Sequence, residues 1–581
     1  METSDGSSKI PPVMSWRRQV LHPLLALAAG AGLLGLVGWT GEVTVWQNRS
    51  TVFIGMGFAL ERGWSFWKRQ PQHRWWPLRA GLLVAIFCVS VGLLSESGVR
   101  SVAAHLFVQA AVLVSGLGLV ISYQTRFTAR AFHPGLVLIG SFLGLVLIGA
   151  LLLKMPLCTI PGQTCSWLDA LFTSTSAVCV TGLTVQNPAI FFTTTGQMVI
   201  LLLIQVGGLG IMTLTFFAAV VLFEGLSLHD RLLLGKMIQE NRLARIGQTL
   251  KFIIGLTLVC EGVGAVILFL SMEGVPEVST RLYHSVFHAV SAFCNAGFST
   301  LPDNLASSVV CGNQVWQIVI MALIVIGGLG ALANEDVSSW AVAKIKRHFK
   351  KEGPRPRLRV HTRLVLVTTA ALILLGAAAV FGTEFHLWQG PENGGRVLTA
   401  FFHSITARTA GFNTVPMSQI GPLTVQVLMI LMVIGGSPGG TAGGLRTTVA
   451  AVGLAHLWQQ LRMGPRGMVF FNRSIPAETG SRALGLIFLT GIWLTCNFII
   501  LEILQSGSGV SETTLLFELI SAFATVGLSL DLTATLTAGA KTLLIVNMFV
   551  GRIGLLTVMA TLIKQDRRPA SGKPQEEILL T

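Results

Sequence analysis

Four glycines, Gly182, Gly297, Gly411 and Gly527, stand 115, 114 and 116 residues apart, and each closes the same kind of segment. The segments read STSAVCVTGLT (174–184), SAFCNAGFST (291–300), SITARTAGFNT (404–414) and SAFATVGLSL (521–530). In each, a serine (Ser176, Ser291, Ser404, Ser521) precedes the glycine by six or seven residues, and Leu or Phe follows it. A period this regular marks one structural unit used four times. Whatever the chain folds into must give the four units equivalent places.

The surroundings of the units are apolar. Hydrophobic residues make up 52% of the 581 positions and charged residues 12%, against roughly a quarter charged in soluble domains. Runs such as GLVLIGSFLGLVLIGALLL (135–153) and FIIGLTLVCEGVGAVILFL (252–270) approach the ~20 residues that cross a bilayer core. The chain is therefore expected to be an all-α polytopic membrane protein. Its net charge of +15 reads as basic loops held on the cytoplasmic side, not as a nucleic-acid surface.

Each period predicts a long helix, a half-length helix and a second long helix. The first elements fall near 135–153, 250–271, 362–382 and 483–505, and the third near 196–222, 312–333, 422–450 and 539–563. The middle ones, near 167–176, 281–292, 395–406 and 512–523, are too short to span. Each should enter the membrane and stop near its serine, and irregular backbone at that depth is tolerated where it lines a watery cavity. The division is four pore repeats, 135–228, 229–343, 344–460 and 461–565, with a cytoplasmic tail at 566–581. Residues 1–134 precede them, with four further helices near 19–39, 50–66, 79–97 and 102–122 and no convincing signal-peptide cleavage site. Basic stretches at 229–251, 344–363, 461–473 and 564–573 put the connections and both termini inside the cell. Acids such as Glu277, Asp303, Glu384 and Asp531 then collect outside.

Four re-entrant segments can surround one axis. Half-helices that end at mid-membrane aim their negative dipole ends at it and favour a cation. The chain then turns back through Val180–Thr181–Gly182, Asn295–Ala296–Gly297, Thr409–Ala410–Gly411 and Thr525–Val526–Gly527. Glycine tolerates backbone angles that point successive carbonyls one way, and rings of carbonyls replace the hydration shell of a monovalent cation. None of the twelve positions is a carboxylate.

A second glycine signature follows each segment: GGLG at 207, GGLG at 327, GGSPGGTAGG at 435 and GRIG at 551. Close helix packing accounts for the first two. The third, Gly435, Gly436, Ser437, Pro438, Gly439, Gly440, Thr441, Ala442, Gly443 and Gly444, is a sequence no continuous helix would choose, so a loop beneath the filter, and with it a gate, is expected. Arg552 lies some 13 residues into the last helix without an evident acid partner, where a charge costs at least ~2.5–3.5 kcal/mol. A pore-facing position below the filter, holding the loop by its carbonyls, is expected for it. Arg408 should brace the filter from behind, and Glu335 and Asp336 should close the second-repeat helix in solvent.

The four pore segments, together with the glycine-rich interruption, resemble the Trk/Ktr/HKT superfamily of potassium transporters, and TSTSAVCVTGLTV (173–185) is especially similar to its KtrB/TrkH membrane subunits. The resemblance implies a channel-like, potassium-selective translocating subunit in a bacterial cell membrane, with K+ at the filter carbonyls and no covalent cofactor. It also implies a homodimer, each protomer with its own pore, on a cytosolic nucleotide-binding RCK ring of the KtrA/TrkA kind. Glycine at all four filter positions, Gly182 included, points to potassium rather than sodium. A competing class is a Na+- or H+-coupled potassium symporter, for which Glu261 is the best mid-membrane candidate. An enzyme would need a nucleophile or metal array, and the twelve histidines are scattered. Cys158 and Cys165 leave a disulfide open on an external loop.

Overall fold

The computed structural model describes residues 134–210, 246–272, 275–350, 357–384, 395–462 and 468–555. The four helices expected before residue 134 and the tail from 566 lie outside these residues. Ala131–Lys154 and Cys165–Thr581 form one compact unit, which holds every element labelled below. Met155–Thr164 group instead with the N-terminal unit and contain one 3-10 turn, Pro156–Cys158. No disulfide joins Cys158 to Cys165.

The first repeat contributes α1 (Pro134–Leu153), the half-helix α2 (Trp167–Val178) and α3 (Thr194–Leu209). The second contributes α4 (Ile246–Ser271), α5 (Val278–Phe293), α6 (Gln314–Leu329) and α7 (Ala331–Lys350). In the third lie α8 (Val360–Thr383), α9 (Arg396–Thr406), α10 (Pro422–Val433) and α11 (Thr447–Leu461). A short hairpin, β1 (Met468–Phe470) and β2 (Arg473–Ile475), leads into the fourth: α12 (Ala477–Leu504), α13 (Glu512–Ala524) and α14 (Ala538–Ile553). The hairpin turns on Phe471 and Asn472, both with positive φ, the signature of a tight type I′ connection.

Among the described helices, those over 251–271, 360–383 and 478–504 are long and apolar enough to cross a membrane. Each turns a large apolar side chain outward: Leu270, Leu375 and Phe488 are 68, 69 and 72% exposed. Such exposure is what a helix facing lipid should show. The starts of the helices follow local chemistry. Ser166 Oγ accepts from Asp169 N at 3.0 Å to begin α2, and Asn313 Oδ1 from Trp316 N at 3.1 Å to begin α6. Thr193, Ser511 and Thr537 cap α3, α13 and α14 in the same way.

The third elements depart from the expected continuous helices. α3 stops at Gly210 (φ +79°), and α14 at Gly554 (φ +93°). In the second repeat Gly330 (φ +88°) separates α6 from α7, which are bent by 105°. Gly330 is required there: a Cβ would strike the Pro438 carbonyl oxygen at 2.5 Å. A helix end at the glycine signature, foreseen only for the third repeat, is thus described in every repeat, and in the second and third the chain goes on into a further helix. Glu335 and Asp336 are accordingly not a solvated helix end. They sit in the first turns of α7, where Glu335 accepts from Thr249 Oγ1 at 3.1 Å and Asp336 from Arg359 N at 2.9 Å.

The core is cyclic. Each half-helix sends one fully buried phenylalanine, Phe172, Phe287, Phe402 or Phe517, into a neighbouring repeat. Phe287 and Phe298 join the first repeat's cluster, Phe402 and Phe412 the second's, and Phe517 and Leu528 the third's. Phe172 and Leu183 of the first repeat complete the cluster of the fourth. The Leu or Phe after each glycine is therefore a packing residue, and four clusters handed on from repeat to repeat close into a ring.

Candidate ion filter and lower-pore loop

At the C-terminal end of each half-helix the chain reverses by the same device. Val180, Asn295, Thr409 and Thr525 have φ of +57°, +60°, +76° and +51°, and the glycines two residues later have +92°, +69°, +76° and +93°. The middle residues, Thr181, Ala296, Ala410 and Val526, keep negative φ. This alternation lets successive carbonyls share a direction instead of opposing each other as in a strand. Left-handed φ at the β-branched Val180, Thr409 and Thr525 is an outlier and costs on the order of 1–3 kcal/mol each. Such strain in three of four equivalent places, with Asn295 holding the same φ in the fourth, marks a functional constraint.

Hydrogen bonds behind the turn hold it. The middle N–H donates to the carbonyl at the helix end: Thr181 to Ser176 and Ala296 to Ser291 at 2.7 Å, Ala410 to Thr406 and Val526 to Ser521 at 2.9 Å. The hydroxyl at that position adds a second bond. Ser176 and Ser521 Oγ accept from the N–H of Gly182 (3.0 Å) and Gly527 (3.1 Å). Ser291 and Thr406 donate to the carbonyls of Phe298 (2.8 Å) and Phe412 (2.7 Å). The third repeat thus uses Thr406, not Ser404. Ser404 instead donates to Ile373 O, as Ser174 does to Val146 O in the first repeat. The third segment is one residue shorter between these hydroxyls and its glycine, which misaligns the serines in the sequence.

The four turns meet. A Cβ on Gly182 would collide with Ala296 O, on Gly297 with Ala410 O, on Gly411 with Val526 O and on Gly527 with Thr181 O. Each glycine abuts the middle carbonyl of the next segment, and the fourth returns to the first. The twelve residues read from the sequence therefore lie together as one closed ring, with four half-helix C-termini behind it.

The glycine signatures lie on the helix-end side of this ring. A Cβ on Gly207, Gly327 or Gly551 would run into the carbonyl oxygen of Val178, Phe293 or Phe523 at the end of the adjoining half-helix, so close helix approach explains them. The third departs: the chain leaves the helix at Ile434 and re-enters at Thr447. The neck of this loop is tied by Gly435 N to Leu445 O (2.9 Å) and Thr447 N to Gly436 O (3.0 Å). Its flank docks into the break between α6 and α7: Ser437 N donates to Gly328 O at 3.0 Å, and Ala331 N to Gly439 O at 3.1 Å. Its far side touches the fourth segment, since a Cβ on Gly443 would strike the Thr525 side chain.

Arginines complete the arrangement. Arg552 donates to Thr441 O in the loop and to Gly207 O at 2.7 Å, so it fastens the loop to the first repeat's inner helix. Both of these partners are carbonyls rather than carboxylates. Buried Arg408 donates to Gly435 O at 3.2 Å and braces the third segment from behind. The sequence reading missed Arg446, which donates to Ser437 O and Ala442 O across the loop's base. An arginine two residues after the last of six glycines, in GGLRTT (443–448), was the available signal. Glu261 is buried behind the second segment, with Gln205 Nε2 at 3.1 Å and Cys294 Sγ at 3.8 Å.

Comparisons with known proteins show the family. The family model for TrkH, described as a cation transport protein, matches residues 130–568. The chain is similar to Ktr system potassium uptake protein B of Vibrio alginolyticus, 35% identical over 461 residues that span 78% of this chain and 96% of the relative. It is also similar to potassium/sodium uptake protein NtpJ of Enterococcus hirae, 34% identical over 78% of this chain and 98% of that one. The crystal structure of the potassium transporter TrkH from Vibrio parahaemolyticus shares the fold, with a TM-score of 0.59 at 15% identity, covering 94% of this chain and 100% of that one. A fourfold strained glycine turn closed into a ring, and a family match running through all four repeats, make this chain a member of the TrkH family of cation transport proteins.

Proposed function

We propose that the protein is the potassium-selective, channel-like translocating subunit of a Trk/Ktr-type uptake system. The observation that carries the reading is the closed ring of Thr181, Ala296, Ala410 and Val526 carbonyls, each against the glycine of the preceding segment. Neutral carbonyls and helix C-termini suit a monovalent cation. Val180–Gly182, Asn295–Gly297, Thr409–Gly411 and Thr525–Gly527 form the filter. The loop Gly435–Gly444 with Arg552 forms the gate: held carbonyl to guanidinium, it obstructs the path, and the arginine's charge opposes cations.

The name of the Vibrio alginolyticus relative, one member of a "system", supports a regulatory partner, which we place as a nucleotide-binding ring at the cytoplasmic face of a homodimer. The cell membrane, with termini inside, is the expected location. A second reading, coupling to Na+ or H+, is favoured by buried Glu261 and by the potassium/sodium relative. The test is the reversal potential of the purified protein in liposomes under opposed K+ and Na+ gradients. A potential that follows K+ supports the reading, and one that follows Na+ equally refutes potassium selectivity. A potential that shifts with a pH gradient moves the assignment to coupled transport.

A further inference from the structure

The residue after each wedge phenylalanine occupies one level of the ring, and all four, Thr173, His288, His403 and Glu518, are fully buried. Their chemistry differs, and two of them reach the chain leaving the filter. His288 Nε2 shares a hydrogen bond with Ser299 Oγ at 2.9 Å. Glu518 does the corresponding work across the ring, at the repeat diagonally opposite: it accepts from Ser529 Oγ, from Leu530 N at 3.2 Å and from Thr533 Oγ1 at 2.8 Å. Ser299 and Ser529 both stand two residues after their filter glycines. Among the described residues no lysine or arginine pairs with Glu518. A buried carboxylate is tolerated only where hydrogen bonds satisfy it, and here the donors, with the Leu532 N–H beside those three, all come from the five residues 529–533. The carboxylate is thus bound to the outer turn of the fourth segment and to nothing that would be needed merely to join helices.

We propose that Glu518 is a selectivity-positioning residue: acting through Ser529, Leu530 and Thr533, its carboxylate fixes the chain that leaves Gly527, and with it the Val526 and Gly527 carbonyls. This rests on the filter reading above. Two oxygens that only accept suit an N–H and two hydroxyls together, and charge-assisted bonds of this kind hold their partners more tightly than neutral ones. His288 and Ser299 brace the second segment in the same register, so the ring is clasped at opposite corners. In the third repeat His403 Nδ1 bonds its own helix at Thr399 O (3.0 Å), as His288 Nδ1 does at His284 O (2.7 Å).

The test uses the full chain in proteoliposomes, reading the K+/Na+ permeability ratio and the half-saturating K+ concentration. Glu518→Ala should lower the ratio about tenfold, the equivalent of one charge-assisted hydrogen bond. Glu518→Gln, which keeps one acceptor oxygen, should fall between it and wild type. Ser529→Ala should act in the same direction, and the double variant should be no worse than Glu518→Ala, because the two share one clasp. If Glu518→Ala does not assemble, Ser529→Ala and Thr533→Val read the clasp from its other side. Folded variants that keep the wild-type ratio, or effects of Glu518 and Ser529 that multiply independently, overturn the proposal. Gly527→Ser separates the two levels of inference. If it loses selectivity while the Glu518 variants do not, the clasp is wrong and the filter stands; if none of them loses it, the filter assignment itself fails.

Discussion

Placing a single methyl group inside the ring measures how much the proposed selectivity depends on backbone position. Gly297 is the best-defined site: an added Cβ would lie 2.6 Å from Ala410 O and 2.9 Å from Gly411 Cα. Tight real contacts run from 3.0 to 3.4 Å, so the second and third segments must separate by roughly 0.4–0.8 Å at this point. The displaced atom is not the mutated residue's own carbonyl but the ring oxygen of the next repeat. Gly297 also has φ +69°, which costs a residue with a Cβ about 1–2 kcal/mol. That penalty is local and affects stability, whereas the retreat of Ala410 O alters the cage around the ion. If ~1.4 kcal/mol of the preference for K+ resides in the fit of this ring, Gly297→Ala lowers the K+/Na+ permeability ratio about tenfold. Bi-ionic reversal potentials on reconstituted protein measure the ratio directly, and thermal unfolding in detergent monitors the local penalty separately. A well-folded Gly297→Ala protein with the wild-type ratio would refute the reasoning, because no rigid ring could absorb that methyl.

Arg552→Ala removes the donors to Thr441 O and Gly207 O, so K+ flux without a regulatory partner should rise severalfold, measured by isotope uptake into liposomes; unchanged flux in folded protein would show that the loop does not gate. Phe402→Ala empties a fully buried wedge between the second and third repeats and should destabilise the protein by about 3–5 kcal/mol, visible as a large fall in melting temperature; a fall no larger than that of a lipid-facing control, Phe488→Ala, would contradict the cyclic core. Arg446→Gln should loosen the loop's base and raise leak flux less than Arg552→Ala does, since the neck bonds Gly435–Leu445 and Thr447–Gly436 remain; a larger leak than that of Arg552→Ala would make the base, not the latch, the restraint.

The repeat architecture was legible because it rests on local, repeated signals. A half-length apolar stretch, a hydroxyl and a glycine recur four times, and each must satisfy its own backbone wherever the chain folds. Element ends were read to within a few residues for the half-helices, where caps such as Ser166 and Ser511 mark the start. The helix ends at Gly210 and Gly554 and the bend at Gly330 were not legible. A lone glycine in an apolar helix reads as packing, and the bend at Gly330 is set by the distant Pro438 carbonyl, 108 residues along the chain. Ser404 was misaligned for a related reason: one residue fewer in the third turn shifts the register, and only the bonds to Ile373 and Phe412 reveal which hydroxyl does what. Arg552 was found by the cost of a charge in the membrane, whereas Arg446, beside a loop already marked as irregular, carried no such signal. Glu518 was equally silent, since its donors become neighbours only when the segment doubles back.

The way each repeat lends its phenylalanine to the one before has a consequence for how the protein is made. During synthesis the first three core clusters can each be completed as the next half-helix emerges, in the order of translation. Phe172 and Leu183 are made early, yet their cluster partners Leu515, Leu519, Leu544 and Met548 are among the last described residues of the chain. Until then the first half-helix must wait in the membrane with one apolar flank unoccupied, open to lipid, to an insertion chaperone or to another nascent chain. Final closure of the pore is therefore a single late event at the seam between the fourth and first repeats. Along that seam lies the Lys541–Asp169 pair at 3.5 Å, an ionic fastening between residues that are 372 positions apart.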